Sequence, residues 1–513
     1  MRQLTPLRIV CGKGTLNASR SPSEVKNTDL VSMDALTFEH DTLQKEGGAT
    51  KFNTTVITDA PKVVFLWDFM TGAFVQELVA GTSDGKYMTL TTSGIDKTLT
   101  SGLGTDKFVF GAEGVNATGV KTLFLMNGFD QMKMYTGGAT AVDITTPAAD
   151  WATVKPAWAF LHNNRMYAGG KSHNAYASIL GNHVSYDTGA GGLVFNVYPG
   201  EGEYLVGGTS WRGRAYFFKY PKGIYYLDDS SADVADWQMK RLSFFVGAAG
   251  TGCIIQAADE VIFVSPDTYF HTLSAVTEFG DAKSSAILPN ELGTYLRENV
   301  NTARLDRVQN CFYPQKRKIL FGFSGTGSSV NNLIIGLDGH RLGTLQGFKS
   351  GRDECEALCV RRDPDTKVAK PLAGNSTGYV YILDQEARNK DSAGYTSGFL
   401  TRNMELFEGG GRNANLKELE VEFVAAGVWT LNVDVYQDGD FSETLTFLMQ
   451  GLGAVLGSFI LDTDVLGVST VQNARSRLHG DCRRVQYQGY NNSANESYSI
   501  AGLTTKITQG NER

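Results

Sequence analysis

The sequence predicts an all-β chain: an irregular β-propeller of six or seven blades, preceded by an N-terminal arm and followed by a C-terminal β-sandwich or jelly-roll-like domain. Three observations predict it. Glycine supplies 58 of 513 residues and aromatics 11%, a glycine share of about 11% against a usual ~7%, which suits many short strands joined by glycine turns. Short strand units recur every 40–50 residues through the middle of the chain, the length of a four-stranded propeller blade. After about residue 396 the pattern changes to longer strands that alternate cleanly.

Residues 1–60 read as an arm with one or two strands, supplying docking or closure strands rather than a domain. Residues 61–395 carry the repeat. Val63–Phe69 and Phe74–Val79 form a hairpin about Met70-Thr71-Gly72. Lys107–Phe110, Thr122–Met126 and Met132–Tyr135 follow, then Trp158–Leu161, Arg165–Tyr167 and His183–Tyr186. The best-defined unit is Glu203–Asp228: Tyr204–Val206, ended by Gly207-Gly208, then Arg214–Lys219 and Ile224–Leu227, with Arg212-Gly213 and Pro221-Lys222-Gly223 as turns. Further units are Cys253–Gln256, Val261–Val264 and Tyr269–Leu273; Cys311–Tyr313, Lys318–Phe323 and Asn332–Leu337; and Ala357–Arg361, Lys370–Ala373 and Tyr379–Leu383. Units end alike at Asp187, Asp228, Asp338 and Asp384, with steps of 41 and 46 between the first and last pairs. A sandwich would not explain such a recurrence. An insertion at Glu278–Thr302 interrupts it.

Residues 396–513 form the C-terminal β-sandwich. Its strands are Thr401–Phe407, Leu416–Ala425, Val428–Gln437, Thr444–Leu448, Phe459–Leu461, Arg483–Tyr490, Tyr498–Ile500 and Leu503–Ile507. Glu418, Glu420 and Glu422 alternate with Leu419, Val421 and Phe423, a strand with one wet face. Asp438-Gly439 signals a hairpin turn.

The formal net charge of −7 argues against a dedicated nucleic-acid binder, which would carry a basic domain. Six scattered cysteines, Cys11, Cys253, Cys311, Cys355, Cys359 and Cys482, fit a reducing compartment. The first residues lack a signal-peptide core, and no apolar run approaches the ~18 residues of a membrane span.

No catalytic, cofactor or metal site is expected. Cys355 and Cys359 have no second pair for a metal. Ser83-Asp84-Gly85 is only a fragment of a sialidase-type box. The seven histidines stand apart in sequence, and neither Gly-x-Ser-x-Gly nor His-Glu-x-x-His occurs. Asp438-Gly439-Asp440 with Glu443 reads as a hairpin turn, since a calcium loop needs about six oxygens at fixed spacing. Asp228-Asp229 and Asp259-Glu260 read as solvated strand ends. Arg475, Arg477, Arg483 and Arg484 are expected to pair with Glu418–Glu422 rather than with phosphate. Trp67, Trp151, Trp158, Trp211 and Trp237 would be core in most blades; exposed, they would line a carbohydrate groove.

The arm residues Gly14-Thr15-Leu16-Asn17, Ser23-Glu24-Val25, Leu30, Asp34-Ala35-Leu36-Thr37-Phe38 and Gly47-Gly48 are similar to the opening of virion tail proteins of tailed bacteriophages. The layout of arm, propeller and a terminal domain with Leu419–Phe423 and Tyr498–Ile507 resembles the tail nozzle or packaged-DNA-stabilisation proteins of short-tailed phages. Ala18-Ser19 departs from that opening. The resemblance implies a structural, non-enzymatic virion protein, made in the host cytoplasm. It would form a homo-hexameric ring at the end of a short tail, docked to an adaptor ring and tail fibres, and retain the genome until ejection. DNA would pass its lumen without sequence-specific contacts. The competing expectations are a receptor- or carbohydrate-binding propeller of the tail and a glycan-cleaving propeller enzyme.

Overall fold

The computed structural model describes residues 5–509 apart from 19–20, 40, 200–202, 258, 280–285, 288–290, 342–343, 408–412, 425–427 and 451–470. The expected strand Phe459–Leu461 lies outside them.

Among the described residues, seven four-stranded antiparallel sheets follow one another. Their innermost strands are Val63–Met70, Phe110–Val115, Trp158–His162, Tyr204–Trp211, Ile254–Ala257, Gln309–Tyr313 and Ala357–Arg362, which we number as blades 1 to 7. The ring closes because the inner strand of blade 7 packs against that of blade 1. Val63, Leu66, Leu78 and Met88 share a buried cluster there with Ala357, Cys359, Leu372 and Val380. Blade 7 takes its fourth strand from the arm: Gly48–Lys51 pairs with Val380–Gln385. Start and end of the propeller are thereby held in one sheet, and the expected six or seven blades become seven.

Several expected elements change. The strand from Tyr204 does not end at Gly207-Gly208. It runs to Trp211 with a bulge between Leu205 and Gly207. The glycines serve packing instead: a Cβ built on Gly208 falls 2.3 Å from a Phe160 ring carbon of blade 3, and one on Gly207 2.8 Å from Ile254 of blade 5. His183–Tyr186 is not a strand; the third strand of blade 3 is Asn174–Ala177. Its apolar alternation reflects burial of Tyr186 against Trp151, ring centroids 4.5 Å apart. The aspartate-ended segments at Asp228, Asp338 and Asp384 do lie in third strands of blades 4, 6 and 7. The insertion near Glu278–Thr302 carries two short helices, Leu273–Phe279 and Gly293–Asn299, with Leu292 and Leu296 buried.

The C-terminal module is a two-sheet sandwich. One sheet orders Leu36–Glu39, Thr42–Lys45, Ser499–Gln509, Ala414–Val424 and Val471–Arg477, with Thr5–Val10 added along Ser499–Gln509. The other orders Leu30–Asp34, Ser397–Thr401, Arg484–Asn491, Val428–Gln437 and Asp440–Gln450. Residues 1–60 are therefore divided: four described strands complete the sandwich and one closes the propeller. The boundary at 396 marks a change of sequence texture, but the sandwich is built from both chain ends. Tyr498–Ile500 and Leu503–Ile507 are one strand, since Gly502 lets it continue where the Ile9 carbonyl would sit 2.8 Å from a Cβ. Leu419, Val421, Phe423, Leu431, Val433 and Val435 fill the core; each fully buried side chain of this size contributes about 1.5–3 kcal/mol. On the wet face, Lys506 pairs with Glu418 at 2.7 Å and Glu420 at 3.1 Å, and Arg475 with Glu420 at 3.3 Å.

Candidate functional site

Residues just ahead of an innermost propeller strand gather at the axis, because each blade starts there. At that end a cavity of about 390 Å³ is lined from five blades. Lys107 and Phe108 precede the inner strand of blade 2, Lys155 that of blade 3, and Arg307 that of blade 6. Lys171 follows a strand of blade 3, and Tyr204 opens blade 4. Contacts cross the axis: Arg307 Nη2 donates to the Asp106 carbonyl at 2.7 Å, and a Cβ on Gly252 of blade 5 would lie 3.1 Å from the Phe108 ring. Buried Gln309 of blade 6 donates to the Val64 carbonyl of blade 1 at 3.1 Å. Side chains thus bridge the propeller's axis.

Lys155 Nζ donates to Gln131 Oε1 at 3.4 Å. Lys107 lies 4.7 Å from the centroid of Phe129, and Lys171 5.7 Å from that of Tyr204. Among the described residues none of these four cations has a carboxylate within 4 Å, whereas Lys86, Lys97, Lys121 and Lys133 nearby in sequence are each paired. Among the described residues Asp306 is the one acidic lining residue.

A second polar centre lies where the arm meets blades 6 and 7. Glu46 accepts from Ser350 Oγ at 2.7 Å. Arg352 donates to the Gly47 carbonyl and pairs with Asp353 at 2.5 Å; Lys390 reaches Asp353 at 3.2 Å. Burial raises the Glu46 carboxyl to about 7, against the opposing pull of Arg352. Lys318 is buried beside Thr37 and Asp338, and burial lowers its pKa. Lys316 joins Glu39 of the sandwich at 3.4 Å to Asp384 of blade 7 at 3.0 Å. Lys349 of blade 6 reaches Asp34 of the sandwich at 3.2 Å. These ion pairs and the shared arm couple the two modules.

The structure also groups residues that stand far apart in sequence. Buried His162 sits with Nδ1 2.8 Å from Ser210 Oγ and Nε2 3.0 Å from Asp229 Oδ2, partners 48 and 67 positions away. These are the distances of a nucleophile, a base and its orienting carboxylate. Here the serine faces Nδ1, and Asp229 also accepts from Asn163 at 2.7 Å. The imidazole ties the inner strand of blade 3 to blade 4, as a clamp between blades.

The residues weighed from sequence fall as follows. Cys355 and Cys359 are buried free thiols of blade 7 with pKa pushed far up by burial. Ser83-Asp84-Gly85 is the turn between two strands of blade 1, Gly85 at φ 78° and Asp84 paired with Lys86 at 2.6 Å. Asp438 and Gly439, at φ 52° and 101°, make the expected hairpin turn, and the Asp438 carboxylate accepts the Arg483 and Arg484 amides. Arg475 pairs with Glu418 and Glu420, Arg477 stands opposite Glu418 in register, and Arg484 pairs with Glu405 at 2.7 Å. Trp151, Trp158 and Trp211 are buried; Trp67 and Trp237 are half-buried and donate to Glu113 and to the Ser231 carbonyl. The five tryptophans therefore do not form one exposed groove. Among the described residues no cluster of three or more His, Cys, Asp or Glu side chains suits a metal ion, and no helix is long and apolar enough to cross a membrane. Sequence reading missed the axial cations. Their one signal is position, since Lys107, Lys155 and Arg307 each fall two or three residues before an inner strand.

Neither a protein-family model nor a curated protein sequence matches the chain. Among solved structures, the WD40 β-propeller domain of Doa1 aligns at 11% identity over 66% of this chain and 97% of its own, with a TM-score of 0.41. The computationally designed Ika8 protein aligns at 10% identity over 65% of this chain and 98% of its own, with a TM-score of 0.36. Scores this low carry no functional argument, and the seven blades rest on the strand pairing itself.

Proposed function

We propose that this chain is a structural tail protein of a short-tailed bacteriophage, a nozzle-type subunit that assembles as a homo-hexameric ring and retains the packaged genome until ejection. The observation that carries the reading is the division of the arm. Its strands complete both sheets of the sandwich and close the propeller, so arm, propeller and terminal domain form one interlocked subunit in the order the sequence resemblance implies. Such a subunit suits a mechanical role, in which load passes between modules through strands rather than a flexible linker. Side chains bridge the propeller's axis, so in this reading DNA runs through the lumen of the ring, beside the propellers, and the adaptor ring and fibres dock on the outside. The chain performs no chemistry, and the Ser210–His162–Asp229 group holds two blades together.

Electron microscopy of the purified full-length chain tests this. Six-fold rings with a central hole are expected. A protein that stays monomeric at high concentration and is absent from tails overturns the reading.

A further inference from the structure

The cavity at the propeller axis holds a charge imbalance that the fold does not use. Lys107, Lys155, Lys171 and Arg307 converge on one space of about 390 Å³ from blades that are not all neighbours, in a chain whose formal net charge is −7. Elsewhere in blade 2, Lys121 and Lys133 are matched with carboxylates. Here the cations face polar oxygens and ring faces, with Asp306 as the one acidic lining residue among those described. Gathering four cations about one carboxylate costs free energy in the empty protein, and an anion entering the cavity offsets that cost.

The remaining walls say what kind of anion. Phe129 is 58% exposed at the rim, a flat apolar surface beside Lys107. Tyr204, half-buried beside Lys171, adds a second aromatic side chain to the lining. The volume falls within the ~300–1,000 Å³ of small-molecule sites. A nucleic-acid duplex presents its phosphates on a convex rod and does not enter such a space.

We propose that the axial cavity binds an anionic sugar, a ring that carries a carboxylate or phosphate for the cations and an apolar face for Phe129. Its source is either a free sugar phosphate or an acidic unit of a surface polysaccharide. The inference does not depend on the tail reading, since the cavity is complete within one chain.

Titration calorimetry of the full-length protein tests it with glucose 6-phosphate, glucuronate and a glucuronate-containing oligosaccharide, against glucose and inorganic phosphate. The anionic sugars are expected to bind and glucose not to. The variant Lys107→Ala/Lys171→Ala should weaken binding by about tenfold or more, equivalent to ~1.4 kcal/mol, and flatten its salt dependence. Phe129→Ala should weaken the sugars while leaving inorganic phosphate unchanged. Lys171→Glu, at an exposed position, serves as a second variant, and thermal melts confirm that each is folded. Tighter binding of the oligosaccharide assigns the polymer source, and tighter binding of glucose 6-phosphate the free one. The proposal is overturned if no anionic sugar binds at low-millimolar concentration, if inorganic phosphate binds as well as the sugars, or if the variants bind unchanged. Ring formation is scored separately by microscopy, so failure here and failure of the tail reading are distinguishable.

Discussion

Glu46 is the residue whose environment has the clearest solution consequence. It keeps some surface, yet its carboxyl group is enclosed, and burial raises it from 4.5 to about 7 against the pull of Arg352, the Ser350 hydroxyl and Lys318, while Asp353 pushes the same way as burial. The folded chain therefore holds this proton more tightly than the unfolded chain. Its contribution to stability is fully present below about pH 4.5 and is lost as pH rises towards 7. Urea unfolding at about pH 5 and about pH 8 should show that loss, and Glu46→Gln, which stays neutral, should remove it. Neighbouring Lys45 runs the other way. Burial lowers it to about 8, so its penalty applies below pH 8 and fades as pH rises from there towards 10.5. His162 gives a second test at this scale. Replacing it with alanine leaves Ser210 and Asp229 without their shared partner and should cost about 1–3 kcal/mol, read as a lower melting temperature. In the clamp reading the wild-type protein should hydrolyse neither activated esters nor glycans, and Ser210→Ala should change nothing in such assays. Steady ester hydrolysis lost in Ser210→Ala would instead make the group catalytic.

Individual strands show where sequence is informative and where it is not. Inner and middle strands were legible because most of their side chains are buried, as in Val63–Met70 and Lys318–Ser324, and give dense apolar runs. Outer strands were not, because they carry little apolar signal: Val142–Asp143 is two residues long and exposed, and Gly94–Thr100 is mostly polar. That the arm supplies closure strands is expected from the sequence, but which one closes blade 7 is not, since the partner of Gly48–Lys51 lies more than 300 positions away. The axial cations were equally hidden, being single lysines and an arginine on separate loops that only ring closure brings together. That closure makes specific demands on the chain. A Cβ on Gly48 would fall 1.8 Å from the Ala387 carbonyl, so Gly48→Val should force the strand off blade 7 and lower the melting temperature sharply. The divided arm also changes what fragments can do. Residues 397–513 alone lack the partners of Ser397–Thr401 and Ser499–Gln509 supplied by Leu30–Asp34 and Thr5–Val10. By circular dichroism that fragment should melt without cooperativity or aggregate, and adding a peptide of residues 1–51 should restore a cooperative transition. Cooperative folding of 397–513 by itself would show that the arm strands only decorate the sandwich.

At the scale of the molecule, the arm and the charge together constrain how a ring could work. The arm's described strands are all paired within their own chain. Deleting residues 1–51 would remove blade closure and sandwich strands at once, so loss of rings in such a truncation would report misfolding rather than a lost interface. The informative experiment keeps the chain intact. A lumen that must release DNA should make few phosphate contacts, because each Lys or Arg contact adds affinity and a salt-dependent term. The net charge of −7 fits that, and so do the ion pairs that engage Arg475, Arg484 and Lys506 on the sandwich. The four unmatched cations line the cavity at the propeller axis. Full-length protein should therefore leave duplex DNA unshifted in a mobility assay at physiological salt, and any binding at low salt should show a shallow dependence of log affinity on log salt. Lys107→Ala/Lys171→Ala should leave that behaviour unchanged while it weakens the anionic-sugar site. Tight, steeply salt-dependent DNA binding by rings of the wild-type chain would mean that the surface facing the lumen grips the genome rather than letting it slide.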